Sequence, residues 1–554
     1  DVARPFLDSN GARRRASVKV EEPNAAADFF KALPRAEKLP DLEAAWKAML
    51  SGLNSCSQQG LGEHFDSSIG AATVLCPFGG RFLSTPVEAM AAKLPLLQGR
   101  TNSATLMSFG CHPGLAAWSP FHGGMYAVIE ALARLAACGG DIGAARLTLQ
   151  EYFPKPGADP RRWGAPFAAL MGAYIAQREL EVAAIGGKDS MSGTFKDLDV
   201  PPTLAAFAVV LADARFVLSP EFKAAGSRVA LLPLPRDERE LPNWPSFRRN
   251  CARVCELARR GKLLAAQSLH GGGLAEAISR MCFGNRLGFA FDREQAAEDL
   301  FAPAFGSLVV EVPAADDVEK LLAGTNFRVL GSTLPAARIR VNGLDLDLAA
   351  LQAAWEKPLG EVFPVRGPAA AADGCERPLF RQRPAKRSGG RLARPRVLLA
   401  VFPGTNNEYD AARAFEAAGA VPDVFVFRNL TPADVKASTD ELARRLARAQ
   451  ILMIPGGFSA GDEPDGSGKF IAAAFRHPRL RAAVHSLLER RDGLVLGICN
   501  GFQALVKLGL LPHGEIRDPQ PDSPTLAANL VGRFVSRPVR TKVVWPGTIS
   551  SGSS

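Results

Sequence analysis

The chain has 554 residues, of which 47% are hydrophobic and 22% charged, and its formal net charge at pH 7 is +10. It contains no run of about 18 apolar residues, so we expect no membrane-spanning helix. The nine cysteines show no disulfide-framework spacing, which favours reduced thiols and a cytoplasmic location. Basic and aromatic residues are not interleaved, so the sequence gives no support for a nucleic-acid partner.

Residues 1–40 are polar and punctuated by proline, and we expect them to form a connecting segment. Strand-like and helix-like patterns then alternate over residues 41–215, which predicts a first α/β subdomain. Within it, residues 206–212 (AFAVVLA) predict a buried strand, and residues 126–137 predict a helix with apolar residues on most faces.

A second α/β subdomain is expected over residues 216–365. Residues 247–260 predict a helix, residues 307–312 predict a strand, and the glycine-rich turn at 270–273 predicts the start of another helix. Residues 366–395 are rich in Ala, Pro and Arg and predict a linker.

The remaining residues, 396–554, predict a doubly wound α/β domain. Apolar runs at 396–402 and 451–454 predict buried strands, and helical patterns at 409–418 and 433–448 alternate with them. Strands that alternate with helices form parallel sheets, whose ligands bind beyond the carboxyl ends of the strands.

The segment GICNGFQ at 497–503 follows the apolar run 493–496 and precedes a helical pattern. A cysteine at such a junction lies at a helix N-terminus, where free backbone N–H groups and the helix dipole favour the thiolate. Its flanking glycines allow a tight turn and the close approach of a substrate. Cys499 is therefore a candidate nucleophile, and the alternative is a buried structural cysteine of the sheet.

A second glycine turn, Gly456-Gly457, follows the strand predicted at 451–454. Because Cys499 follows another strand of the same predicted parallel sheet, the two turns should lie at one edge and face each other. Backbone N–H groups of such a turn can stabilise an oxyanion.

These residues resemble the class I, triad-type glutamine amidotransferases, in the version fused to phosphoribosylformylglycinamidine synthase. The resemblance rests on three ordered motifs, PGTNNEYD at 403–410, PGGFSAGD at 455–462 and GICNGFQAL at 497–505. It implies that Cys499 attacks the side-chain amide of glutamine. It also implies residues that bind glutamine or its oxyanion, namely Gly456, Gly457, Asn500 and Gln503.

Acidic residues and glycine turns in the first subdomain indicate phosphate and metal chemistry. Asp66 precedes a glycine-terminated turn, Glu130 lies in the predicted helix, and the sequence AIGGKDSMSG predicts a strand that ends in a turn at 186–190. Backbone N–H groups of such turns face phosphates, and carboxylates suit Mg²⁺. The alternatives are a turn or cap residue at Asp66 and a surface ion pair in the turn.

Longer segments of the chain resemble the second synthetase module of the phosphoribosylformylglycinamidine synthase family. These segments are LNSCSQQGLGEHFDSSIGAATVLCPFGG, SPFHGGMYAVIEALARLAACGGD and IGGKDSMSGTF. The implied fold is a mixed α/β and α+β one, an aminoimidazole-ribonucleotide-synthetase-like module of two subdomains followed by the amidotransferase-like domain. The resemblance implies Mg²⁺ at Asp66 and Glu130. It implies ATP near Gly186, Gly187, Lys188, Asp189 and Ser190.

Some positions depart from the family pattern. Arg134 stands four residues after Glu130, where many members have Asn, and residues 269–274 are LHGGGL, without the Asp that many members have before the Gly-Gly-Leu turn. Two expected Mg²⁺ ligands are therefore absent. No histidine after Cys499 lies in the His-Pro-Glu context that completes the family's catalytic triad, so we expect a truncated carboxy-terminal part of a longer enzyme.

By resemblance, the parent enzyme is a ligase of purine biosynthesis. It converts formylglycinamide ribonucleotide, ATP and glutamine to formylglycinamidine ribonucleotide, ADP, phosphate and glutamate. Its expected partner is the amino-terminal half of the enzyme or a second copy of the chain. Two alternatives remain, a different ligase coupled to a triad-type glutaminase and a non-catalytic structural or partner-binding remnant.

Overall fold

The computed structural model describes Arg4 and residues 16–31, 41–66, 68, 70–96, 99–367, 393–459 and 468–539. The chain divides into two compact units, Asp1–Val365 with Val535–Arg537, and Arg366–Phe534 with Pro538–Ser554. Most of the predicted linker 366–395 and much of the predicted connecting segment 1–40 lie outside the described residues. No helix within the described ranges is long and apolar enough to cross a membrane.

The first unit contains a six-stranded sheet whose central strand confirms the prediction at 206–212. In spatial order its strands are Thr73–Leu75, Met90–Lys93, Ser103–Gly110, Thr203–Asp213, Arg146–Tyr152 and Ala184–Ser190. All neighbouring strands pair antiparallel except the last two, which are parallel. Successive side chains of a strand point to opposite faces, so Ala206 and Ala208 are buried while Phe207 and Leu211 are exposed.

The long helix Pro120–Ala137 lies on the inner face of this sheet, and a second long helix, Pro160–Leu180, packs against the first. The first contains the predicted helix 126–137 and begins earlier because the Ser119 side chain accepts a hydrogen bond from the His122 backbone. The helices touch through a glycine on the second. A Cβ atom at Gly172 would lie 1.9 Å from the Phe121 carbonyl oxygen, so a larger residue would force the helices apart.

A seven-stranded sheet forms the second half of this unit. In spatial order its strands are Ala265–Ser268, Leu308–Val312, Arg228–Leu232, Arg328–Leu334, Gly288–Phe291, Arg338–Val341 and Leu344–Asp347. Its helices are Trp244–Arg259, Gly273–Phe283, Ala297–Phe301, Val318–Leu321 and Leu348–Glu356. The helix predicted at 247–260, the strand predicted at 307–312 and the helix predicted after the turn at 270–273 are all present.

The helix Leu42–Leu50 packs in the apolar core beside the seven-stranded sheet. The predicted boundary at residue 41 had assigned this helix to the first subdomain. Trp46 is fully buried in that core, and its indole Nε1 donates a hydrogen bond of 2.8 Å to Ser279 Oγ. The apolar stripe of an amphipathic helix specifies burial but not which neighbour covers it.

The unit also contains short helices and strands. These are Gln59–Gly62, Phe78–Gly79, Thr85–Pro86, Pro113–Trp118, Thr194–Phe195 and Leu198–Asp199.

The second unit contains a parallel four-stranded sheet, as predicted. Its strands in spatial order are Val421–Val426, Arg396–Val401, Ile451–Ile454 and Leu494–Gly497. Its helices are Glu408–Ala417, Pro432–Leu446, Lys469–Arg476, Pro478–His485 and Asn500–Leu508. Leu398 and Ala400 belong to one buried cluster, and Val397 and Leu399 belong to another. Helices therefore cover both faces of the sheet, which confirms a doubly wound domain.

Candidate functional site

Cys499 lies in the sharp turn between the strand Leu494–Gly497 and the helix Asn500–Leu508. Its backbone is left-handed, with φ 52° and ψ −112°, and its side chain is exposed. Such backbone angles cost about 1–3 kcal/mol in a non-glycine residue, and they persist only where the surroundings enforce them. The turn presents the thiol at the N-terminus of the helix, which is the geometry of a nucleophile elbow.

The glycines on each side of Cys499 are required by close contacts. A Cβ atom at Gly501 would lie 2.0 Å from the Ile454 carbonyl oxygen, and one at Gly497 would lie 2.7 Å from the Gly501 backbone. Any side chain at these positions would push the helix away from the neighbouring strand. The spacing Gly-x-Cys-x-Gly therefore has a steric cause in this fold.

The Gly456-Gly457 turn faces Cys499, as the sequence predicts. The strands that precede the two turns are parallel neighbours, with Ile454 opposite Gly497, so both turns lie at the same sheet edge. A Cβ atom at Gly456 would lie 3.1 Å from the Cys499 Cβ. The oxyanion-binding role of the turn stays a prediction, and the geometry is compatible with it.

Asn500 holds this glycine turn in place. Its side chain is buried, and its Oδ1 accepts a hydrogen bond of 3.2 Å from the Ser459 backbone. Its Nδ2 donates one of 3.0 Å to Gln503 Oε1. The Asn500 side chain therefore positions the loop, while its backbone N–H belongs to the first turn of the helix, where N–H groups have no intrahelical acceptor.

Two histidines of this unit have structural contacts. The His477 side chain accepts a hydrogen bond from the Arg479 backbone at the start of a helix, and His485 Nε2 accepts one of 3.0 Å from the Ile516 backbone. Neither of these two contacts involves Cys499.

Replacement of Cys499 tests whether its backbone is strained. Glycine adopts left-handed angles freely, so we expect Cys499→Gly to be more stable than Cys499→Ala by about 1 kcal/mol. Urea unfolding of both variants measures the difference. The same pair of changes at Phe502, inside the following helix, is the control and should show the opposite order by about 1 kcal/mol. The same order at both positions would contradict the strain.

A large cavity of about 960 Å³ lies in the first unit. Its lining includes Glu130 and a set of other charged or titratable side chains, Glu88, Glu276, Arg134, Arg280, His112 and His270. Glycines 271 and 272 border it at the turn before the helix Gly273–Phe283. This cavity is the candidate ligand site of the synthetase-like part.

The Glu130 carboxylate is surrounded by donors. Its Oε1 lies 2.9 Å from Arg134 Nη2 and 3.1 Å from His270 Nδ1, and its Oε2 accepts a hydrogen bond of 3.1 Å from the Cys111 backbone. Burial alone would raise the pKa of Glu130, but the Arg134 guanidinium and the His270 ring lower it to about 2. Glu130 is therefore ionised, and the neighbouring Arg134 and His270 side chains balance its negative charge.

His270 joins Glu130 to a second buried carboxylate, Glu88. Its Nε2 lies 3.7 Å from Glu88 Oε1, and Glu88 also accepts hydrogen bonds from the side chains of Gln267 and Ser268. Burial and Arg134 would lower the pKa of His270, but the two carboxylates outweigh them and raise it. Sequence reasoning missed Glu88, because only tertiary structure brings residues so distant in sequence together.

The comparisons with known proteins cover both units. Residues 394–548 match the family model of the CobB/CobQ-like glutamine amidotransferase domain. Over 26% of the chain, it is 38% identical to the phosphoribosylformylglycinamidine synthase subunit PurQ of Dehalococcoides mccartyi, covering 51% of that protein. Over 68% of the chain, it is 27% identical to the human phosphoribosylformylglycinamidine synthase, covering 32% of it. Both parts of the chain are similar to phosphoribosylformylglycinamidine synthases.

The synthetase-like part also has a separate-subunit relative. The chain is 21% identical to the phosphoribosylformylglycinamidine synthase subunit PurL of Thermoplasma acidophilum over 65% of its length, covering 49% of that protein. Among solved structures, T. maritima PurL complexed with FGAR matches with a TM-score of 0.43 and 12% identity, over 69% of this chain and 60% of that one. The chain spans about half, or less, of the length of the curated relatives named here.

The structure places the two residues predicted to hold Mg²⁺ differently with respect to the cavity, with Glu130 in its lining and Asp66 outside the lining. Asp66 is exposed and does not line the cavity, whereas its neighbour Phe65 does. Within the described residues, no group of three or more His, Cys, Asp or Glu side chains is arranged to hold a metal. With both Glu130 oxygens already contacted by donors, the residues present do not fit Mg²⁺.

The prediction of a phosphate-binding turn at 186–190 is wrong in its local structure. Gly186, Gly187, Lys188, Asp189 and Ser190 all belong to the strand Ala184–Ser190, at the edge of the six-stranded sheet. A Cβ atom at Gly187 would lie 2.2 Å from the Leu149 carbonyl oxygen, so this glycine permits close strand pairing. None of these five residues lines the cavity. Their nucleotide-binding role stays a prediction.

Asp189 and burial together perturb the carboxyl group of Glu151 on the neighbouring strand. It lies opposite Glu151 in the parallel pair, and burial together with Asp189 raises the pKa of Glu151 to about 7. An acid whose folded pKa is raised holds its proton better in the folded state than in the unfolded state. Its contribution to stability is therefore greatest below the unfolded pKa and falls as the pH rises towards 7.

Removal of this carboxylate should change the pH dependence of stability. We expect Glu151→Gln to leave the free energy of unfolding nearly unchanged at pH 4 and to raise it by about 1–3 kcal/mol at pH 8. Urea unfolding across this range measures the difference. The exposed Asp197→Asn is the matched control and should follow the wild type. Parallel curves for wild type and Glu151→Gln would contradict the expected linkage.

Proposed function

We propose that this chain is part of a glutamine-dependent ligase that makes formylglycinamidine ribonucleotide from formylglycinamide ribonucleotide, ATP and glutamine. The observation that carries the proposal is the strained elbow at Cys499, which faces Gly456 at the carboxyl edge of a parallel sheet. The similarity of both units to phosphoribosylformylglycinamidine synthases supports the same assignment.

The second unit supplies the glutamine chemistry in this proposal. The Cys499 thiolate attacks the side-chain amide carbon of glutamine, and a C–S bond forms. Backbone N–H groups of Gly457 and Asn500 stabilise the oxyanion. The C–N bond then breaks as the departing nitrogen takes up a proton and leaves as ammonia, and water hydrolyses the thioester to glutamate and the free Cys499 thiol. Gln503 helps to orient the glutamine.

The first unit supplies the synthetase-like module, with ATP and the ribonucleotide as its ligands in the complete enzyme. We assign no step to Mg²⁺, because the donors around Glu130 do not fit a metal ion. We propose the amino-terminal half of such an enzyme, or a second copy of this chain, as its partner. The exposed apolar side chains Phe207 and Leu211 on the outer face of the six-stranded sheet support an interaction surface there.

One observation favours a second candidate function for the first unit. The Arg134–Glu130 ion pair occupies the position where the family has a metal site, which supports a structural, non-catalytic module.

With either function, we place the protein in the cytoplasm. The eight cysteines that the structure describes are all unpaired, as a reducing compartment favours.

Covalent labelling tests the glutamine site directly. We expect a diazoketone analogue of glutamine to modify Cys499 slowly, in a manner that excess glutamine prevents, because the elbow binds the amino acid before the thiol reacts. Peptide mass mapping locates the adduct. The control is Cys499→Ser, in which the partly exposed Cys76 and Cys111 should remain unmodified by the analogue. An adduct on another thiol, with Cys499 intact, would show that the site is wrongly assigned.

A turnover assay tests the ligase as a whole. We expect the chain alone to form no formylglycinamidine ribonucleotide from the ribonucleotide and ATP, with either glutamine or ammonium salt. The sequence leads us to expect no triad base in this chain, and such a loss typically costs several powers of ten in rate. The ion-paired Glu130 would also leave the synthetase step without a metal. Product formation from ammonium would show that this module holds a competent synthetase centre. Product formation from glutamine would in addition show a working glutaminase.

A further inference from the structure

The cavity of the first unit holds a buried charge network in which every carboxylate has a cationic partner. Glu130 contacts Arg134 and His270, and Glu276 contacts Arg280 at 2.6 Å. The carboxylates of Glu130, Glu88 and Glu276 are almost completely buried. Bare carboxylates at this depth would attract a divalent cation, and protein cations stand in that place here.

Two cations stand at Glu130, and the sequence departs from the family pattern at one of them and beside the other. Arg134 occupies the position where many members have Asn, and His270 precedes Gly271, which stands directly before Gly-Gly-Leu where many members have Asp. In the structure both side chains approach the same oxygen, Glu130 Oε1, at 2.9 and 3.1 Å. The two cations therefore act on one carboxylate, although 136 residues separate Arg134 and His270 in the sequence.

The Arg134 guanidinium is also held firmly in place. It lies 4.5 Å from the centre of the Phe109 ring, in a cation–π contact, and its side chain is only 16% exposed. A metal ion that approached Glu130 would have to displace this cation from both Phe109 and the carboxylate. Coulomb repulsion between the metal and a buried guanidinium adds to that cost.

We propose that Arg134 and His270 replace the divalent cation in this module, so that the Glu130 cavity binds neither Mg²⁺ nor Mn²⁺. The positive charge that a metal ion would supply at Glu130 is instead supplied by side chains of the protein itself, those of Arg134 and His270. The inference does not depend on the proposed ligase activity, because it concerns only the charge and contacts of the first unit. A ligand that needs a bridging metal is excluded from this cavity.

A reversed variant, in which oxygen ligands replace both cations at Glu130, tests the proposal. We expect the variant Arg134→Asn with His270→Asp to bind about one Mn²⁺ per chain more than the wild type, because three oxygen ligands then converge at Glu130. Electron paramagnetic resonance of free Mn²⁺ counts the bound ions in the full chain. Mg²⁺ should raise the Tm of this variant by several degrees and leave that of the wild type unchanged. Addition of Glu130→Gln to the variant should abolish both effects.

Two further measurements locate and control the effect. Arg178→Asn removes an exposed arginine on another helix and should bind no more Mn²⁺ than the wild type. Wild type and Glu130→Gln should bind equal amounts, which can be measured even where the reversed variant does not fold. A tight Mn²⁺ site in the wild type that is lost in Glu130→Gln would overturn the proposal. A folded reversed variant that gains no Mn²⁺ would also overturn it.

Discussion

The first unit depends on one buried negative charge, the carboxylate of Glu130. It lies on the helix Pro120–Ala137, which packs on the six-stranded sheet, and it contacts His270, which precedes a helix of the seven-stranded sheet. A carboxylate taken out of water costs several kcal/mol unless its partners keep their positions. The charge therefore joins a helix of the six-stranded sheet to the turn before a helix of the seven-stranded sheet, and it lies in the lining of the cavity.

The second unit is organised by a steric constraint instead. The helix after Cys499 approaches the neighbouring strand so closely that only glycine fits at Gly501. This approach fixes the direction of the chain on either side of Cys499 and leaves that residue with a left-handed backbone. The surrounding sheet maintains the strained geometry, so the thiol is positioned before any substrate arrives.

The sequence allowed most of the fold and the elbow to be predicted, because both depend on local patterns. Apolar runs marked the strands at 451–454 and 206–212, and glycine spacing marked the turn at Cys499. The error at 186–190 has a physical reason. Two glycines usually indicate a turn, but here Gly187 permits tight pairing of an edge strand. The contacts of Glu130 with His270 could not be predicted, because they join residues that are distant in the sequence.

The paired charges at Glu130 also restrict how this chain can change during evolution. Loss of Arg134 alone removes one of the two cations at a buried carboxylate, and such a loss typically costs about 3–5 kcal/mol. A lone Asp in place of His270 would add a second negative charge beside the first. Each single replacement of a cation by an oxygen ligand is therefore expected to give a less stable protein than the present chain. The effects of the two replacements on stability are coupled, because both cations contact the same carboxylate oxygen.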